Sequence, residues 1–129
     1  MNTENETTSD WFFSTREKLD TRESDLKAYI WDSSSFFKKE NYEVHGWGNG
    51  YVLLPKQHPF YGLAYHDLNN LMRVYKGFTF AKEIYLDGKR YWGVGFDTVH
   101  GGDNLENCSK GFVINETLKL HKMLKQIKP

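Results

Sequence analysis

Phe78–Asp97, FTFAKEIYLDGKRYWGVGFD, is the stretch on which the fold turns. Two runs rich in aromatic and β-branched residues flank the dipeptide Asp87-Gly88. Asp-Gly tolerates the positive φ angles of a two-residue type I′ turn, whose twist matches that of the strands it joins. Such a turn sets the register, so Leu86 should face Lys89, Tyr85 should face Arg90, Ile84 should face Tyr91 and Glu83 should face Trp92. Alternation then puts Trp92, Val94 and Phe96 on one face, and Tyr91, Gly93, Gly95 and Asp97 on the other. The two glycines leave that second face bare, open to close approach by a helix or a ligand.

Working outward towards the N-terminus, Tyr51–Leu54 reads as a short strand. Pro55 closes it, because a missing N–H ends the ladder or confines the strand to an edge. HGWGNG, His45–Gly50, reads as a loop interrupted by three glycines. Pro55–Gly62 reads as a second loop, carrying His58, Pro59 and Tyr61. Leu63, Leu68 and Leu71 suit one or two helical turns, Met72 and Val74 favour an extended chain, and Lys76-Gly77 suits a kink. Phe36 and Phe37 are expected core anchors, and Tyr42–His45 a short strand. Leu26, Tyr29, Ile30 and Trp31 recur at helical spacing behind Glu23 and Asp25, which predicts a helix from about Thr21 until the Ser33–Ser35 run. Asp10 should cap a short turn carrying Trp11, Phe12 and Phe13, whose rings must fold back on the domain or meet a partner.

On the C-terminal side, Asn104–Gly111 suits a turn followed by a break, and Phe112–Ile114 a short apolar segment. Asn115 is the expected N-cap of a terminal helix, with Leu120, Leu124 and Ile127 as its apolar stripe and lysines opposite. The expected fold is therefore α+β. A single domain over residues 10–129 holds a mainly antiparallel sheet of about four to six strands with N-terminal and C-terminal helices, preceded by a flexible segment over residues 1–9.

Composition limits the function. Hydrophobic residues at 39% and aromatics at 16% supply a real core, and no apolar run approaches the roughly 20 residues that span a membrane. The N-terminus lacks the basic and apolar regions of a signal peptide, so the expected compartment is the cytoplasm. The lone Cys108 has no internal disulfide partner and reads as a buried thiol. Net charge is zero, with ten acids and six bases in residues 1–43 and five bases and one acid in residues 110–129. No basic field dominates, which disfavours nucleic-acid binding through phosphate neutralisation.

Chemistry concentrates after the hairpin, where Asp97, His100 and Asp103 form D-x-x-H-x-x-D on a turn containing Gly101 and Gly102. Three readings follow. In the first, the aspartates cap turns through backbone N–H groups while His100 hydrogen-bonds across the corner. In the second, the corner recognises a ligand or partner, with Tyr61, His66, Trp92, Gly101 and Gly102 as surrounding contacts. In the third, His58 joins Asp97, His100 and Asp103 around a divalent metal, with His66 behind them and Asp103 or an unused histidine taking a proton from metal-bound water, or Asp97 orients His100 as a general base. The glycine corner would also suit an anion if Lys76, Lys89 or Arg90 offset the aspartates. No phosphate-loop or HExxH motif is present, and neither Ser109 nor Cys108 has a nucleophile's signature.

GYVLLPKQHPFYG (Gly50–Gly62), KGFTFA (Lys76–Ala81) and YWGVGFDTVHGGD (Tyr91–Asp103) resemble the motifs of a family of small uncharacterised proteins from bacteriophages and prophages. The matching positions are Gly50, Tyr51, Val52, Pro55, His58, Pro59, Tyr61 and Gly62, then Tyr91, Trp92, Gly95, Phe96, Asp97, His100, Gly102 and Asp103. Between these blocks the family commonly carries histidine-glycine-glycine. Here Tyr75, Lys76 and Gly77 stand, so the histidine and one glycine are absent. The resemblance covers about residues 50–120 and implies a phage-type accessory protein of the host cytoplasm. Such a protein would recognise a host or phage protein or a small metabolite, and inhibition of a bacterial process or defence system fits that role. The rival expectation is a metal-assisted hydrolase of a phosphoester. A homodimer burying Trp11, Phe12 or Phe13 is a further expected arrangement.

Overall fold

The computed structural model describes residues 7–22, 24–35 and 45–128. In chain order these form α1 (Asp10–Phe13), β1 (Arg16–Lys18), β2 (Lys27–Asp32), a 3-10 turn (Ser33–Ser35), β3 (Gly48–Leu54), α2 (Tyr65–Leu71), β4 (Phe80–Leu86), β5 (Lys89–Phe96) and α3 (Lys110–Lys125). The strands make one antiparallel five-stranded sheet in the order β1-β2-β3-β5-β4. This is the expected α+β domain, and the described residues place three helices around its sheet. Among the described residues no helix is long and apolar enough to cross a membrane.

The β4–β5 hairpin has the register its turn dictates, pairing Leu86 with Lys89, Tyr85 with Arg90, Ile84 with Tyr91 and Glu83 with Trp92. Asp87 and Gly88 take φ angles of 49° and 80°, the left-handed pair that a type I′ turn demands. β3 lies at the centre of the sheet, so Pro55 ends a central strand rather than marking an edge.

The sheet is apolar on both faces. On one, Ala28, Ile30, Val52, Leu54, Val94 and Phe96 lie beneath Val113, Leu120 and Leu124 of α3. Gly50 permits this close approach, since a Cβ there would collide with Thr117 of the helix and the Phe96 ring. On the other face Tyr29, Tyr51, Leu53, Ile84 and Tyr91 gather around Phe12 of α1. The Phe12 ring meets Tyr51 and Tyr29 edge-on at 5.3 and 5.5 Å. The Arg16 guanidinium lies 4.4 Å from the Phe12 centroid and 4.6 Å from that of Tyr51, pinning α1 to the sheet. Neighbouring side chains therefore fill the face expected to be bare; a Cβ on Gly95 would stand 2.7 Å from the Tyr51 ring.

The helix expected over residues 21–31 is instead a turn followed by β2, with Lys27–Asp32 paired along β3. Ala28 and Ile30 feed one core while Tyr29 feeds the other, which a two-faced strand achieves and a one-stripe helix does not. His121 of α3 fixes the entry to that strand, its Nε2 lying 2.9 Å from the Leu26 carbonyl oxygen. Gly48–Gly50, read as loop, are the first residues of β3. There glycine answers close packing rather than flexibility. α3 starts at Lys110, not after Asn115: Ser109 is its N-cap and its hydroxyl accepts from the Phe112 amide. Phe112–Ile114 are thus the first turns of the helix and not a separate segment. The turns over 63–71 condense into α2, with Leu68 buried and Leu71 exposed.

Of the segment expected to be flexible, Thr7–Ser9 are hydrogen-bonded to the hairpin. Ser9 exchanges bonds with the Tyr85 main chain, and Thr7 and Thr8 bind the turn. Phe36, Phe37 and Tyr42–Val44 lie outside the described residues, and His45 lies in a bend.

Phe12 is fully buried, whereas its neighbour Trp11 is half exposed. Phe12→Ala is therefore expected to lower unfolding free energy by about 3 kcal/mol, well beyond the effect of Trp11→Ala. Urea denaturation of the two variants checks this.

Candidate functional site

The corner after β5 is built around Asp103, whose side chain has no solvent exposure. One carboxylate oxygen, Oδ2, accepts from the His100 amide at 2.8 Å and lies 3.1 Å from His100 Nδ1. The other, Oδ1, accepts from the Tyr75 hydroxyl and from Lys76 Nζ, the latter at 2.9 Å. Lys76 also donates to the Gly101 carbonyl at 3.0 Å. Its φ of 50° is followed by 101° at Gly77, so the expected kink is a left-handed pair that turns the chain beneath the corner.

The contacts continue inward. The Tyr75 phenol lies 3.3 Å from Cys108 Sγ, and with its proton committed to Asp103 the thiol is the donor. Cys108 is fully buried, as expected for a lone thiol. The Tyr75 ring meets Phe112 of α3 at 4.9 Å. Asp97 lies across the loop, accepting from the Val99 amide at 3.2 Å, with His100 Nδ1 3.5 Å from its Oδ1. Asn104 and Asn107 bond to one another, and Asn107 Nδ2 donates to the Gly102 carbonyl.

These contacts set the protonation states. Burial alone would raise the Asp103 pKa, but hydrogen bonds from Tyr75, the His100 amide, Lys76 and the His100 ring outweigh it and lower it to about 2. Burial pushes the Tyr75 phenol upward, and its bonds to Asp103 and Cys108 add to the rise. Burial is also the main cause raising the Cys108 thiol, so it has neither the thiolate character nor the access of a nucleophile.

Of the sequence-predicted residues, Asp97, His100, Asp103, Gly101 and Gly102 come together here. His58 does not. Its Nδ1 accepts from the Phe60 amide at 3.0 Å, and its Nε2 donates to the Leu124 carbonyl at 2.8 Å. Leu124 is at the far end of α3, about 18 Å along the helix from Phe112, so His58 and His100 cannot share an ion held by bonds of about 2 Å. Tyr61 and Trp92 are likewise away from the corner, with Tyr61 bonded to Glu83 and Trp92 to the Leu63 carbonyl. His66 is largely exposed on α2 beside Asp67. Among the described residues no three His, Cys, Asp or Glu side chains are grouped to hold a metal ion. Lys76 is the offsetting cation, whereas Lys89 and Arg90 are at the hairpin tip. Tyr75, which carries one of the key bonds, has no local sequence signal because 28 residues separate it from Asp103.

No protein-family model, curated protein or solved structure matches the chain.

A folded-state pKa of about 2 against an ordinary 3.8 means that Asp103 stabilises the fold fully above the unfolded value and loses that effect as pH falls towards 2. The separation corresponds to about 2 kcal/mol. Asp103→Asn should be less stable than the parent by about that amount at neutral pH, with the gap closing between about pH 4 and pH 2. Chemical denaturation of both proteins across that range measures it.

Proposed function

We propose that this is a small phage-type accessory protein that acts by recognition, binding a host or phage protein or a small metabolite, with inhibition of a bacterial process or defence system as its effect. The observation that carries this reading is the internal saturation of the Asp103 corner. Its carboxylate oxygens each have two donors, and the adjoining phenol and thiol are bonded to each other, so this cluster is committed to holding a loop. A loop fixed before binding loses little conformational freedom when a partner arrives. What it presents outward is Val99 and Leu105, both exposed, beside the partly exposed His100 and the open Gly101 and Gly102.

The resemblance to phage and prophage proteins supports the same reading. Tyr75 and Lys76 stand where that family commonly has histidine and glycine, and both side chains are spent on Asp103. The hydrolase alternative loses its intended fourth ligand, because His58 is held at the opposite end of α3.

Val99→Asp with Leu105→Asp alters the outward surface and leaves the Asp103 contacts in place. The parent chain, used as bait in host and phage-infected lysates and metabolite extracts, should retain a specific species. The double variant should retain less than about a tenth of it, equivalent to more than about 1.4 kcal/mol of binding, with an unchanged unfolding midpoint. Equal retention by both proteins, or phosphoesterase activity dependent on an added divalent metal, would contradict the proposal.

A further inference from the structure

At the opposite end of the sheet from the Asp103 corner, the central strand stops before its neighbours' flanks do. β3 ends at Leu54, opposite Trp92, because Pro55 has no N–H with which to continue the ladder. β5 runs three residues further, through Tyr91 and Arg90 to Lys89 at the hairpin tip. On the other side, β2 begins at Lys27, paired to Leu53, and Lys27 and the preceding Asp25 line the same gap. A missing length of central strand therefore leaves a notch of about 680 Å³ between hairpin and β2, with Pro55–Gln57 as its floor.

Charge distinguishes this notch from an ordinary surface depression. Lys27, Lys56, Lys89 and Arg90 line it, against Asp25 as the acid in its wall. Arg90 Nε lies 3.4 Å from Glu83 Oε2, which steadies the guanidinium. Among the described residues, Lys27, Lys56 and Lys89 make no ion pair within 4.0 Å. Three lysines that make no ion pair among the described residues, arriving from β2, the post-β3 loop and the hairpin tip, line one concavity. Its size lies within the range of about 300–1,000 Å³ typical of small-molecule sites. By contrast, the hollow beside Trp11 sets Lys82 against Asp10 and Glu83, with no cationic excess.

The geometry points to a binding site for a phosphate-bearing polyanionic small molecule in this notch, with Lys27, Lys56 and Lys89 as its principal charge contacts. The lysines act as mobile point charges on a multivalent anion, while the paired Arg90 supplies a fixed donor edge. Asp25, in the wall of the notch, opposes the negative charge and so weakens binding. Asp87 is nearby at the hairpin tip. Burial chiefly, then the charges of Asp25 and Asp87, hold the Tyr91 phenol above its ordinary value. The notch is separate from the loop over residues 97–107, so the two sites can fail independently.

Isothermal titration of inorganic pyrophosphate into the full chain at low ionic strength tests the assignment. One saturable site is expected, weakening as salt is added because the lysines are open to screening. Lys56→Ala and Lys89→Ala should each weaken binding about fivefold, or about 1 kcal/mol. Asp25→Asn should tighten binding about twofold by removing a repulsive charge. Lys119→Ala, on the exposed side of α3, should leave the isotherm unchanged. Absence of saturable binding to the parent would overturn the proposal, as would equal weakening by Lys119→Ala and Lys56→Ala. Pyrophosphate binding that survives Val99→Asp with Leu105→Asp, while partner retention is lost, would support this site and the recognition loop separately.

Discussion

The carboxylate of Asp103 is wholly removed from water, and the lower half of the domain is arranged so that this removal is tolerable. A buried charge is costly unless donors replace its hydration. Here the donors are the Tyr75 hydroxyl, Lys76 Nζ, the His100 amide and the His100 ring. They come from two segments far apart in the chain, one leading into β4 and the other leaving β5. Tyr75 then reaches Cys108 and Phe112, so the start of α3 is tied to the same point. One carboxylate thus sets the relation between the hairpin, its approach and the helix that covers the sheet.

The two ends of the sheet are built differently. At one end of the sheet a saturated polar cluster holds a compact loop with exposed apolar residues. At the other, the early stop of β3 leaves a cation-lined notch. The aromatic face between them is closed by Phe12 of α1, with the Arg16 guanidinium of β1 lying against its ring. The glycines serve packing on both sides: Gly95 admits Tyr51 on one face, and Gly50 admits Thr117 on the other.

Local chemistry was legible in the sequence, and distant partnerships were not. Asp87-Gly88 declares its turn and register within a few residues, so the hairpin could be read directly. Asp97, His100 and Asp103 could be grouped because seven residues contain all three. Tyr75 and Lys76 enter that group only through folding, across 28 and 27 residues. The place of His58 is hidden for the same reason, since the Leu124 carbonyl that holds it is 66 residues away. In β2 and its approach, Leu26, Tyr29 and Ile30 fit a helical stripe equally well. Only a sheet with two buried faces makes alternate burial of Ala28, Tyr29 and Ile30 the better arrangement. At α3, Gly111 looked like a break, yet Ser109 supplies a cap just ahead of it.

Asp103 is an ionised, fully hydrogen-bonded carboxylate and not a free acid or base. Carbon-detected NMR titration of the Asp103 side-chain carboxyl reports that state directly. A midpoint near 2, below the ordinary 3.8, is the expected result. A midpoint at or above 3.8 would contradict the account, because it would mean that the donors do not outweigh burial at this position.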